Sequence, residues 1–341
     1  MSSLPAPAVR SGRAGYWRLV GLLALATLAM TFVSLAIGYA RLDLGMALAD
    51  WLAGRQTLEA LVLVELRLPR AVLGALVGFS LGMAGAAMQG LLRNPLAEPG
   101  IVGISSAAAF GAVVVFYSGF AGAFALALPL GGIAGAILAV LLLYAFVGRG
   151  AGTMTLILAG VAINSFAGAM TALALNLAPN PYAALEIVFW LMGSLADRSL
   201  AHVWLVLPLM LLGWALLLSC APALDGLTLG EDTARSLGFD LNWLRARLIG
   251  GAALSVGSAV AVTGAIGFVG LVVPHLLRPF VGHRPGRLLL ASGFGGAILL
   301  LAADTALRLL PIRPELKLGV VTALIGAPFL FSLIYRLRRE A

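Results

Sequence analysis

The chain has one lysine, one cysteine and three histidines among 341 residues, and only 14 of those residues are acidic. Each scarcity closes off a class of chemistry. A P-loop needs a lysine followed by serine or threonine to cradle phosphates. The one lysine, Lys317, precedes Leu318, so the chain does not hydrolyse ATP by that route. A lone Cys220 forms neither an internal disulfide nor a cysteine metal cluster. His202, His275 and His283 are scattered without metal-ligand spacing and read as structural. No serine-nucleophile motif and no pair of intramembrane carboxylates is found, so no catalytic constellation is expected. Charged residues are 11% of the chain, against roughly 25% in ordinary soluble domains, while hydrophobic residues reach 61% and mean hydropathy is +1.05. That balance excludes a soluble protein and makes the whole chain, 1–341, a single membrane domain. The net charge of +8 does not indicate nucleic-acid binding, because the basic residues lie between apolar runs and do not line an amphipathic face.

The most informative stretch runs from Arg67 to Gly103. Two arginines around a proline open it, an uncharged run from Ala71 to Leu92 follows, and a second arginine-proline-glycine cluster closes it. Gly74, Gly78 and Gly82 recur every fourth residue with Gly85 beside them, which gives one helical face that another backbone can approach closely. Helical spans need about 20 mostly apolar residues. Such windows fall at 17–38, 66–92, 101–118, 123–147, 153–175, 200–220, 244–265, 268–282, 286–309 and 318–336. The predicted fold is therefore an all-α polytopic membrane protein of about ten transmembrane helices. The eighth window is short and contains Pro274, His275 and Arg278, so it is bent or shielded by protein, and nine crossings are the alternative.

With the N-terminal tail, 1–16, in the cytoplasm, fourteen of the 22 basic residues fall inside, as the positive-inside rule requires. Both termini are then cytoplasmic. Residues 1–40 read as a retained first helix, because the apolar core from Leu19 to Ala36 exceeds that of a signal peptide. Arg67, Arg70, Arg308, Arg313 and Lys317 remain near outer ends, either meeting something acidic outside or snorkelling to headgroups. Asp304 in the ninth window is the kind of intramembrane carboxylate that can relay protons, but Arg308 one turn later gives the simpler reading of a salt bridge.

Three loops have marked chemistry. Residues 225–240 form a cytoplasmic segment written like a short helix: Thr228 with Glu231 as a capping box, Glu231 and Asp232 in the first turn, and Gly238 at the end. Pro179 and Pro181 stop a helix, and the apolar piece Ala183 to Gly193 is too short to cross, so it is a broken helix lining a cavity or an interfacial one. The small-residue turn from Gly150 to Thr155 suits a gate or a plain connection.

Taken together, these residues resemble the FecCD family of ABC importer permeases, which serve cobalamin, ferric siderophores and haem. The matching segments are RLPR (67–70), AGAAMQGLLRNPLAEPGIVGIS (84–105), LILAGVA (156–162), FWLMGSL (189–195), LTLGEDTARSLG (227–238), GAIGFVGLVVPHLLR (264–278) and LGVVTALIGAPFL (318–330). The resemblance implies the type II ABC importer permease fold in a bacterial inner membrane. It also implies a second permease copy, two cytoplasmic ATPase subunits that hold ATP and Mg, and a periplasmic substrate-binding protein, with no cofactor on this chain. By resemblance Arg67, Arg70 and Arg308 receive acidic residues of that binding protein. Leu229, Gly230, Glu231, Asp232, Ala234, Arg235, Leu237 and Gly238 form the segment that couples to the ATPase. Thr153 and Met154 match the inner gate, with methionine replacing a small polar residue. Asn164, Met170, Gly326 and Pro328 match the pathway wall. The competing class is an ion-gradient-driven secondary transporter or channel, which would place acids at a central site and need no cytoplasmic knob.

Overall fold

The computed structural model describes residues 12–38, 42–122, 124, 126–148, 152–310 and 315–340, and among them there is no strand. The helices run α1 (Arg13–Ala36), α2 (Leu44–Leu52), α3 (Leu58–Leu61), α4 (Leu68–Leu91), α5 (Ile104–Tyr117), α6 (Ala127–Val147), α7 (Thr153–Asn176) and α8 (Pro181–Leu191). They continue as α9 (Leu200–Ser219), α10 (Ala221–Leu227), α11 (Glu231–Ser236), α12 (Leu241–Thr263), α13 (Val269–Leu277), α14 (Pro285–Leu309) and α15 (Leu318–Glu340). A π-helical turn, Val62–Arg67, joins α3 to α4, so that one continuous helix runs from Leu58 to Leu91. Pro69, which offers no backbone N–H, stands at the junction where the π-helical turn passes into α4.

All ten predicted windows fall on helices, but not on equal ones. Among the described residues seven helices are long and apolar enough to cross a bilayer: α1, the Leu58–Leu91 helix, α6, α7, α9, α12 and α14. The windows at 101–118, 268–282 and 318–336 correspond to shorter apolar helices, Ile104–Tyr117, Val269–Val281 and Leu318–Leu333. The first two begin inside the protein. α5 follows a 3-10 turn, Pro99–Val102, and α13 starts after Phe268, whose backbone is left-handed at φ 68°. The Phe268 N–H donates to a Glu98 carboxylate oxygen at 2.8 Å. Irregular backbone at this depth is tolerated because protein covers it, and α13 is buried from Val269 to Pro274.

α4 is the centre of the bundle, with α14, α13, α12 and α9 packed round it. The reason lies in its small-residue face. A methyl carbon added at Gly78 would stand 2.4 Å from the Gly296 carbonyl oxygen, at Gly82 2.0 Å from that of Ser292, and at Gly85 2.0 Å from that of Gly270. Backbone therefore meets backbone along α14 and α13, and any side chain at those three positions would separate the helices. Gly74 differs, facing the side chains of Leu301 and Leu195 at 3.0 and 3.3 Å. α5 and α6 pack in the same manner through Gly111, Gly131 and Gly135.

Candidate functional site

At the end predicted to face outward, the structure gathers Arg67, Arg70 and Arg308 around a cavity of about 810 Å³, which Arg198, Glu315 and Lys317 also line. Arg67 is buried and donates to the carbonyls of Leu35 and Ala36, each at 2.8 Å. Arg308 is buried too, donating to the carbonyls of Ser34 and Ile37 at 2.8 and 2.6 Å and to the Ser34 hydroxyl at 2.6 Å. Both arginines thus satisfy the carbonyls that helix geometry leaves open at the end of α1. Asp304 is bridged on both sides, by Arg308 at 3.1 Å and by Arg70 at 2.8 Å, and Arg70 also grips Glu315. The Lys317 ammonium lies 5.7 Å over the Phe189 ring. Arg198 donates to the Val262 carbonyl, and burial pushes its guanidinium pKa down, against the opposing pull of Asp197. Arg313 lies outside the described residues. Sequence reasoning missed Glu315, Arg198 and Glu98.

Beside this cavity a backbone knot joins three elements. The Leu318 and Gly319 N–H groups donate to the carbonyls of Gly193 and Met192 at 2.9 and 3.1 Å, and Ser194 N–H donates to the Thr263 carbonyl at 2.7 Å. The end of α8, the end of α12 and the start of α15 are fixed together there. α8 itself is capped by Asn180, whose side chain accepts from the Ala183 N–H at 2.9 Å.

At the opposite end, α11 projects from the bundle. Gly230 and Gly238 flank it with φ of 104° and 88°, a backbone that glycine adopts without strain. Leu229 and Leu237 are exposed and Ala234 is buried. The expected capping box does not form. Gly230 occupies the N-cap position, and the Thr228 hydroxyl donates to the Asp225 carbonyl at 2.7 Å instead. Glu231 is drawn to Arg245 of α12, both of its oxygens lying 3.0 Å from the guanidinium, with Arg235 at 3.8 Å; Asp232 lies 3.7 Å from Arg235. The short helix is therefore anchored by charge to a long one. Asp225 adds a second tie, accepting from the Gly286 N–H at the start of α14 at 2.8 Å.

Between the two ends, α7 and α15 leave much of their surface uncovered. Met154, Leu158, Phe166, Leu324 and Phe331 are exposed apolar side chains, and Asn164 on α7 accepts a hydrogen bond from the Ser106 hydroxyl of α5. Met170 is half-buried and Pro328 exposed. Gly326 is closed over by Phe268, whose Cγ lies 2.3 Å from where a methyl carbon would be. Thr153 opens α7, while Gly150 and Ala151 lie outside the described residues. Among the described residues no group of three or more His, Cys, Asp or Glu is placed to hold a metal ion.

A bundle knit backbone to backbone, charged at one end, carrying a tethered helix at the other and bare along an apolar flank, defines a multi-span transport permease. The chain belongs to the FecCD transport family, whose model matches residues 26–336. It is 42% identical over 285 residues to the uncharacterized ABC transporter permease protein YvrB of Bacillus subtilis (strain 168), covering 82% of this chain and 80% of that one. It is 38% identical over 320 residues to the vitamin B12 import system permease protein BtuC of Salmonella typhimurium (strain LT2), covering 93% and 94%. A solved structure described as a metal-chelate type ABC transporter in an inward-facing conformation superposes with a TM-score of 0.80 at 31% identity, over 94% of this chain and 99% of that one. The fold is thus that of an ABC-transporter permease, a class of subunit that is not itself an enzyme.

Proposed function

We propose that this chain is the membrane subunit through which an ABC importer moves an iron chelate, a ferric siderophore or haem, or cobalamin, across the bacterial inner membrane by alternating access. Two copies pair, two cytoplasmic ATPase subunits press on the α11 knobs, and a periplasmic protein delivers the substrate at the arginine end. Both termini face the cytoplasm. The observation that carries this reading is the uncovered, mainly apolar faces of α7 and α15, which bear Asn164 and Pro328, with Met170 half-buried. Such a face suits a shared pathway at a two-fold axis, wide and weakly polar, with Gly326 beside it and Thr153 and Met154 at its inner mouth. The Glu231–Arg245 pair supports the coupling role, since a push on α11 passes directly into α12. Arg67, Arg70 and Arg308 serve the docking of the delivery protein, Arg70 as the contact and the other two as the frame behind it.

The test is uptake into proteoliposomes holding the permease with its ATPase subunits and binding protein. Transport of one chelate that stops when ATP is withheld is the expected outcome. Uptake driven by a proton or sodium gradient with no ATPase present overturns it in favour of a secondary transporter.

A further inference from the structure

Of the arginines that line the outer cavity, Arg67, Arg70 and Arg308 are not equivalent. Arg67 and Arg308 hold the open carbonyls at the end of α1, so neither can turn to an incoming partner without stranding them. Arg70 bonds to carboxylates instead, and its two partners differ. Asp304 is 1% exposed and shared with Arg308, so it is fixed from both sides. Glu315 is 22% exposed, sits just ahead of α15, and hydrogen-bonds through both oxygens to Arg70.

From this arrangement we infer that Glu315 is an internal stand-in for an acidic side chain of the periplasmic delivery protein, and that docking is an exchange of carboxylates on Arg70. The inference rests on the docking reading above and adds to it the residue that must leave. Arg70 already holds two carboxylates, Asp304 and Glu315, and Arg308 shares the first of them. A third carboxylate entering the cavity meets like charge unless Glu315 withdraws. Arg198 and Lys317 line the same cavity and supply the field that draws the newcomer in. Glu315 lies three residues before Leu318, the first residue of the backbone knot with Gly193 and Met192. Its release therefore removes a tether on the outer end of α15 and carries the docking event to the wall of the pathway.

The experiment uses the assembled permease–ATPase complex in nanodiscs, the purified periplasmic protein, and the variants Glu315→Gln and Arg70→Gln. Glu315→Gln keeps the shape and removes the competing charge, so the periplasmic protein is expected to bind about tenfold more tightly at low salt, the scale of one close charge pair. Arg70→Gln is expected to weaken binding by a similar factor. A loss with Arg70→Gln and no gain with Glu315→Gln overturns the exchange while leaving the docking role intact. No change with Arg70→Gln overturns both. A nitroxide on Leu316→Cys in the otherwise wild-type complex gives a second readout that does not require Glu315→Gln to fold: its spectrum should become mobile when the periplasmic protein saturates the complex. An immobile label at saturation overturns the exchange.

Discussion

The Leu58–Leu91 helix and α7 have the same mean hydropathy, 1.8, yet 78% of the apolar window of the first is buried and only 22% of that of the second. Apolarity alone does not decide which helix is central in a membrane protein, because lipid tails are as apolar as leucine and supply no drive between helices. Side-chain size decides it. α4 puts Gly78, Gly82 and Gly85 on one face, so α14 and α13 come within backbone contact of it and gain dispersion along their length. α7 presents Leu158, Phe166 and Leu173 outward, and a methyl carbon at Gly168 would meet nothing within 4 Å. One helix is built to be surrounded, while the other packs on one side, where a methyl carbon at Gly160 would stand 2.5 Å from the Ile101 carbonyl oxygen, and leaves its other side free.

The largest test of this contrast is a matched pair of leucines. Gly82→Leu drives a side chain into the Ser292 carbonyl and is expected to abolish folding, with even Gly82→Ala costing about 3 kcal/mol or more. Gly168→Leu is expected to leave the melting temperature of the detergent-purified monomer unchanged. Thermal unfolding followed by tryptophan fluorescence decides, and a folded Gly82→Leu protein would break the comparison. Next in size is Arg308→Met, which leaves Asp304 half-paired and the end of α1 unsatisfied. Removal of one partner from a buried charge network costs roughly 3–5 kcal/mol, measurable in the same assay.

The two smaller effects sharpen the functional side of the contrast. Glu231→Gln weakens the tie between α11 and α12, a charged hydrogen bond worth about 1.5–3 kcal/mol. It should lower chelate uptake in proteoliposomes while ATP hydrolysis by the partner subunits continues. Uptake and hydrolysis falling in step would remove the coupling role. Asn164→Ala on the uncovered face of α7 removes the acceptor of the Ser106 hydroxyl and is expected to change transport a few-fold, with a fall in stability no larger than one neutral hydrogen bond, about 1 kcal/mol. A large drop in melting temperature would show that α7 belongs to the packed core after all.

Much of this division could be read from the residues. The glycine spacing in α4 marked a close-packed face, the hydropathy windows fell on helices, and Asp304 with Arg308 one turn later marked a salt bridge that forms at 3.1 Å. Less legible were the contacts that join distant segments. Thr228 and Glu231 have capping-box spacing, but Arg245, fourteen residues on, is the stronger partner for the carboxylate, so the box gives way. Glu98 looks like an ordinary loop acid, and only the meeting of two interrupted helices puts it on the Phe268 N–H. Glu315 likewise looks like a loop acid until α14 and α15 bring it to Arg70.

What the amino-acid order determined unaided was a helical membrane protein, the places where its helices lie, and the face on which one of them must be packed, since chain hydropathy and side-chain size are local properties. Tertiary structure alone decided which carboxylates Arg70 holds, where interrupted helices are shielded, and which apolar faces stay bare. Those outcomes depend on distances between segments hundreds of residues apart, and a charge pair exists only where the fold closes that distance.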